Sequence, residues 1–459
     1  MKKIFVFLFF TAVLLLPNVV KSQPVVVPVY ERIAHAFMPS NVDKTIIRSC
    51  QGAASISYYE TAYGHFFLYY DSLSSNAVSL PIQMVFSVND FMIDGEDVYF
   101  CGTTNSSTGL WGHFRICQFF FGTREYEYSN FLFPASGGFV KTFKRIELLS
   151  STPHPKMALI GTGSATSLVV ELVYNPVIQN LSYRMGEVDA LYNESIEDIV
   201  VTDNYVVTLG YLMSGTEGHP CMRVFLRNNM FSANGPQNVL HEYLSNTPVV
   251  SDFDTGQIVS SHLDADYFAV GSFWRGPNSS YNEGTYIGIY EVEKMGNTFV
   301  PRHDTSMITN QVNYSSSWRL RGMTGYDLSS YFYLLQNADI VDFGFSSIVF
   351  ELDLSMFLNP TGSIVVRVRD DAIMQSIDTS GYNYIANGFY AYDKTRLEFE
   401  TGMPGHYNCT NRRDLTTASA SMLRKAYPYA LYTSSSSGGY GTSATSSLIV
   451  TVVTECFEQ

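Results

Sequence analysis

Five apolar runs in this chain end on a glycine: VYFCG at Gly102, MALIG at Gly161, YVVTLG at Gly210, YFAVG at Gly271 and YNYIANG at Gly388. A copy without the glycine stands at Tyr331–Asn337 and a last one at Tyr429–Thr433, so successive units are 59, 49, 61, 66, 51 and 45 residues apart. Behind each run comes a Gly/Ser/Asn-rich loop and a second apolar run, as in Leu110–Ile116, Ser167–Tyr174 and Thr285–Val292. Loops of that composition supply the turn conformations that fold a strand back on its partner, so each unit reads as a β-hairpin.

The clearest copy is Val88–Ile116, and it shows a third element. Asp90-Phe91-Met92-Ile93 precedes the marker run as Asp198-Ile199-Val200-Val201 precedes its own, and Asp90 and Asp198 each stand 12 residues before their glycine. A fourth strand follows at Tyr126–Phe133. Four strands in about 50 residues is the arithmetic of a propeller blade. The chain is therefore expected to be all-β, a β-propeller of seven four-stranded blades. Six or eight blades, or tandem β-sandwiches, are the alternatives.

Several strands, among them Val98–Cys101 and Tyr205–Leu209, are apolar on both faces. That is expected where a sheet is stacked between two others. The 32 Tyr and 32 Phe are explained by the bulky filler such stacking needs. The best helix candidate, Ser419–Lys425, is too short to anchor a domain.

At the N-terminus Lys2 and Lys3 precede the apolar run Ile4–Leu16, and Val20-Lys21-Ser22 follows, which reads as a secretory signal over residues 1–22. Residues 23–43 read as an extended arm, and 44–459 as the propeller, closed by N- and C-terminal strands. The hairpin-like Ala54–Tyr70 is the candidate for the outer strand that the C-terminal unit lacks. No later stretch is apolar for long enough to span a membrane. Export to the periplasm, cell surface or medium is expected. Removing residues 1–22 deletes Lys2, Lys3 and Lys21 and takes the net charge from −14 to −17. Phosphate backbones repel such a chain, which argues against a nucleic-acid partner.

Six cysteines in an exported chain allow up to three disulfides. Cys50 and Cys456 lie near the two ends of the folded region, where a bridge would lock a closed ring. Buried free thiols are the other reading.

No motif carries a reaction by itself: there is no nucleophile elbow, zinc-protease helix or P-loop, and no cofactor or metal is expected. The aspartates in Ser251–Thr255 and His262–Asp266 read as turn caps, with a calcium loop as the rival. His113, His262 and His303 are acid–base candidates on residue type alone. Trp274 beside Arg275, just past a marker strand, is the candidate ligand-stacking pair, with blade-to-blade filler as the alternative.

The signal ending Lys21-Ser22-Gln23, together with loose blades such as Asp90–Gly102, resembles the uncharacterised secreted β-propeller proteins of Bacteroides-type Gram-negative bacteria. The resemblance implies export and no activity. Two functions are expected, the first as the leading reading and the second as its alternative. One is a non-enzymatic binding module for a glycan, peptide or protein. The other is a propeller hydrolase or lyase working at the central channel. Titratable side chains converging on the channel, above all a carboxyl with a raised pKa, would favour the enzyme.

Overall fold

The computed structural model describes residues 31–49, 54–71, 76–107, 109–120, 125–133, 140–163, 167–188, 194–214, 217–232, 235–236, 238–243, 259–263, 265–275, 283–295, 298–301, 305–310, 319–325, 331–340, 344–353, 364–380, 383–402, 411–415, 417–420, 423–424, 429–437, 439–444 and 448–458. Among them the strands assemble into seven four-stranded antiparallel blades.

The first blade is Val42–Ser49, Ala54–Thr61, Gly64–Asp71 and Asn76–Ile82, and the second Ser87–Asp94, Asp97–Ser106, Gly109–Phe120 and Glu125–Phe133. The third runs Thr142–Ser150, Lys156–Thr162, Ser167–Asn175, Asn180–Val188, and the fourth Glu194–Val201, Tyr205–Ser214, Glu217–Leu226, Asn238–Tyr243. The fifth is Val259–Leu263, Ala265–Arg275, Glu283–Met295, Thr305–Asn310, and the sixth Arg319–Gly325, Tyr331–Ile340, Gly344–Asp353, Ile364–Asp370. Ala372–Ser380, Asn383–Tyr390 and Asp393–Gly402 begin the seventh, and the N-terminal strand Glu31–Phe37 completes it by pairing with Asp393–Gly402. The first strands of successive blades contact one another all the way round, so the ring is closed and these strands line its channel.

Stacking explains the strands that are apolar on both faces. Val98 and Phe100 pack into a core shared with the first blade, while Tyr99 and Cys101 pack into the one shared with the third. In the third blade Met157 and Leu159 face the second, and Ala158 and Ile160 the fourth. A period of two thus fills two cores at once.

The marker glycines record a recurring bulge. In the second, third, fourth and seventh blades the first strand skips one residue, Asn89, Lys144, Glu197 or Gln375, opposite the marker. The bulge drives a carbonyl oxygen onto the glycine. A Cβ added at Gly102 would lie 1.9 Å from Ser87 O, and one at Gly210 1.8 Å from Ser195 O. The sixth blade has the same bulge, at Arg321, with Gln336 in the marker place.

Beyond the blades the chain turns back. Asn411–Leu415, Thr417–Ala420, Leu423–Arg424, Tyr429–Ser437 and Gly439–Ala444 each add a fifth strand, to the sixth, fifth, fourth, third and second blade in turn. Leu448–Glu458 then pairs with Asn76–Ile82 of the first blade and Glu31–Phe37 of the seventh, across the seam. A C-terminal belt encircles the ring.

Four expectations are corrected here. The arm over 23–43 contains a blade strand, Glu31–Phe37. Ala54–Tyr70 forms the middle strands of the first blade, and the closing strand is the N-terminal one. The marker at Tyr429–Thr433 belongs to the belt, and the first blade, which has no marker glycine, makes the seventh unit. Ser419–Lys425, expected as the best helix, contributes belt strands, because the outer blade edges offer its backbone hydrogen-bond partners. Among the described residues no helix is long and apolar enough to cross a membrane.

Candidate functional site

The residue after the bulge is charged in three successive blades, where it stands on the inner strand: Asp90, Arg145, Asp198. Asp90 is a clamp between blades. Its Oδ1 accepts the N–H of Phe91 at 2.9 Å and its Oδ2 that of Ile146, in the third blade, at 3.2 Å. From the first blade, Arg48 donates Nη2 to Asp90 and Nε to Phe91 O at 2.9 Å. Arg145 Nε stands 3.3 Å from Asp198 Oδ1, which also accepts the N–H of Ile199 at 2.9 Å. In the seventh blade Asp378 accepts the N–H of Thr379 and, across the seam, that of Ser49, both at 2.8 Å. Charge alternates from Arg48 through Asp90 and Arg145 to Asp198.

Bulge side chains add a second tie. Asn89 Nδ2 donates to Phe143 O at 2.7 Å, and Lys144 Nζ to Ile196 O at 3.0 Å and Glu197 Oε1 at 2.7 Å. Each carbonyl belongs to the residue just before the next blade's bulge.

Glu147, two residues past Arg145 on the same inner strand, is half-buried. Its charge is felt with those of Arg48, Asp90, Asp198 and Asp378, which come from the first, second, fourth and seventh blades. A side chain of the third blade meets one from the seventh only across the channel. Burial pushes the Glu147 carboxyl up to about 8, Arg48 opposes, and Asp90, Asp198 and Asp378 add to the rise. Burial likewise raises Asp198 to about 7, against the pull of Arg145. Asp198 Oδ2 has no hydrogen-bond partner among the described residues. At the channel two carboxyls, Glu147 and Asp198, are thus pushed upward by burial, beside the hydrogen bonds and ion pairs that hold the wall in place.

The sequence pattern pointed to part of this set. Asp90, Asp198 and Ser376 all lie 12 residues before their glycines and take the same post-bulge place. Arg145 takes it too but lies 16 before Gly161, because the turn at 151–155 is longer, and the constant spacing hides it. Asp90, singled out in the sequence by its spacing alone, is an inter-blade clamp. Arg48, Glu147 and Asp378 carried no signal.

Of the ligand-stacking pair, Trp274 and Arg275 end the second strand of the fifth blade, opposite Gly284 and Glu283, and the structure describes their backbone alone. His113 is structural. Its ring stacks on Phe86 at 3.9 Å between centroids, its nitrogens lie 2.8 Å from Thr104 Oγ1 and 3.2 Å from Asn130 Oδ1, and burial lowers its pKa to about 4. His262 faces Asp266 across the hairpin between the first two strands of the fifth blade. His303 and residues 251–255 lie outside the described residues. Cys101 and Cys117 are buried free thiols, so three disulfides are excluded. Cys50 lies outside the described residues, and Cys456 stands on the last belt strand opposite Ile33.

No family model matches the chain, and no curated protein sequence matches it. Among solved structures it is similar to a Bombyx mori GH32 beta-fructofuranosidase in complex with sucrose, at TM-score 0.31 and 8% identity over 85% of this chain and 93% of that one. It is also similar to the beta-propeller domain of the Trilobed protease from Pyrococcus furiosus, at TM-score 0.40 and 10% identity over 80% and 97%. A polysaccharide lyase aligns at TM-score 0.43 and 8% identity over 78% and 89%. The propeller architecture rests on the strand order and ring contacts above.

Proposed function

We propose that this protein is a propeller enzyme of the hydrolase or lyase class, exported from the cytoplasm, with its acid–base group in the central channel. One observation carries the reading: charged side chains of five blades converge around Glu147, a carboxyl that burial pushes up to about 8. Both reaction classes need a proton delivered to a leaving group, and a carboxylic acid with a pKa near the working pH does this well. Arg48 is fully engaged by Asp90, Phe91 and Ile47, so its role is to hold the wall. The test is a product screen by mass spectrometry against polysaccharide and peptide libraries, with wild type and Glu147→Gln side by side. Turnover that falls roughly 10²- to 10⁴-fold in the variant is expected. Equal turnover in both, or none with any substrate, overturns the proposal.

A binding module is the second reading, favoured by a different observation. In each blade the turn between the second and third strands and the link to the next blade lie on one face of the ring. Phe37, Tyr63, Val85, Leu110, Leu132 and Tyr392, six of the eight large apolar side chains exposed among the described residues, sit at those positions in the seventh, first and second blades. The backbone of Trp274 ends its strand on the same face. Scattered apolar residues are ordinary on a surface, whereas a shared face suits a glycan, peptide or protein partner. Glycan-array and pull-down binding that persists in Glu147→Gln and is lost in Tyr63→Ala/Tyr392→Ala would support it; binding unchanged by the double substitution would sink it.

A further inference from the structure

The belt is not needed to complete the propeller. Without residues 411–458 every blade keeps four strands, and Glu31–Phe37 still closes the ring. Each belt strand pairs only with the outermost strand of its blade, and the last bridges two. The geometry that allows one segment to do this is the twist of the blades. Strands rotate by roughly 20–25° per step, so four steps turn a fifth strand nearly across the ring axis, along the circumference. Connectors of one to four residues between belt strands then suffice, and all belt strands run in the same sense.

We propose that the belt is an exchangeable donor segment, and that a second copy of this chain is the partner whose outer blade strands accept it. The belt's sequence is rich in Ser, Thr, Gly and Ala, as in Thr433–Ser447, so main-chain pairing holds it more than side-chain pockets do. The belt is registered along the outer edges of all seven of this chain's blades, and a second copy offers the same seven edges. Exchange replaces each strand pairing with an identical one, and eight residues separate Gly402 from Asn411 along the chain. Swapping of an identical element is a low-cost route to a dimer.

The test uses full-length chains and the belt register on the second blade, where Glu127 faces Thr442 and Tyr126 faces Ser443. Directly opposed residues on antiparallel strands are about 4.5–5.5 Å apart at Cα, within reach of a disulfide, and adjacent pairs alternate in geometry, so both are made. A chain carrying Glu127→Cys and Thr442→Cys together reports the belt's place through an internal link. Glu127→Cys and Thr442→Cys on separate, differently tagged chains, unfolded and refolded together, report exchange. The expected result is a species of twice the mass on a non-reducing gel, absent from either chain alone, with the 127–442 peptides joined by mass spectrometry. The 126–443 pair is run in parallel. Internal links in the double variants with no link between copies would overturn exchange, and so would double variants that fail to link at both pairs.

Discussion

Ser49 donates its backbone N–H to Asp378 Oδ2 at 2.8 Å, joining residues 329 positions apart in the chain across the seam between the first and seventh blades. The same type of contact recurs from Ile146 to Asp90. One carboxylate thus ties its own strand and the next blade's inner strand, a device that serves the seam and an ordinary blade junction alike.

Asp378→Ala removes the acceptor of both the Ser49 and Thr379 N–H groups. A loss of about 1–3 kcal/mol is expected, since two part-buried N–H groups lose a charged acceptor. Hydrogen exchange should quicken at Ser49 and Thr379 before it does in the third blade; uniform protection in the variant would contradict a seam role.

At Gly102 there is no room for a methyl group, because the oxygen it meets belongs to backbone held by the bulge. Gly102→Ala should lower stability by about 1–3 kcal/mol through displacement of that strand. Gly210→Ala, with a contact of 1.8 Å, should do the same. Thermal melts of both variants check this, and a wild-type Tm in either would show that the bulge is adjustable.

Arg223 and Glu194 form a bidentate ion pair in the fourth blade, with side chains 0% and 1% exposed. Arg223→Met alone strands a buried carboxylate and should cost about 3–5 kcal/mol. Arg223→Met with Glu194→Leu should recover most of that loss, as measured by chemical denaturation. If the double variant were no better than the single one, the penalty would lie in packing and not in charge.

Stability should fall as pH rises from about 5 to 8.5. A carboxyl whose folded pKa is raised favours the folded state while protonated. The contribution of Glu147 is therefore fully present below its ordinary 4.5 and is lost as pH climbs through about 8. Asp198 has the same sign up to about 7. His113, lowered to about 4, has the opposite one: its contribution is present above 6.5 and lost toward acid. In Glu147→Gln the alkaline decline of Tm should be shallower than in wild type, and parallel curves would remove Glu147 from the buried titrating set.

The blade repeat was legible because it has a steric cause. A bulge that presses a carbonyl onto the marker position selects glycine, and that selection shows as VYFCG, MALIG and their kin. Strands apolar on both faces were equally legible, since each serves two cores. Seven units were counted for a partly wrong reason. Val42–Ile82 has no marker glycine, so its hairpin Ala54–Tyr70 reads as an outer strand and not as a blade, while Tyr429–Thr433 has an apolar run resembling a marker and lies in the belt.

By itself the amino-acid sequence determined the strand-turn-strand rhythm, the acidic net charge and the stacking of sheets, because these depend on neighbours along the chain. Tertiary structure decided which strand closes the ring, where the strands between Asn411 and Glu458 pair and which charges meet. Arg48, Asp90, Glu147, Asp198 and Asp378 stand in five different blades and share a site only because the inner strands converge on one channel. A charge's pKa depends on its distance to the others and on the water it loses, and neither quantity is written in sequence spacing.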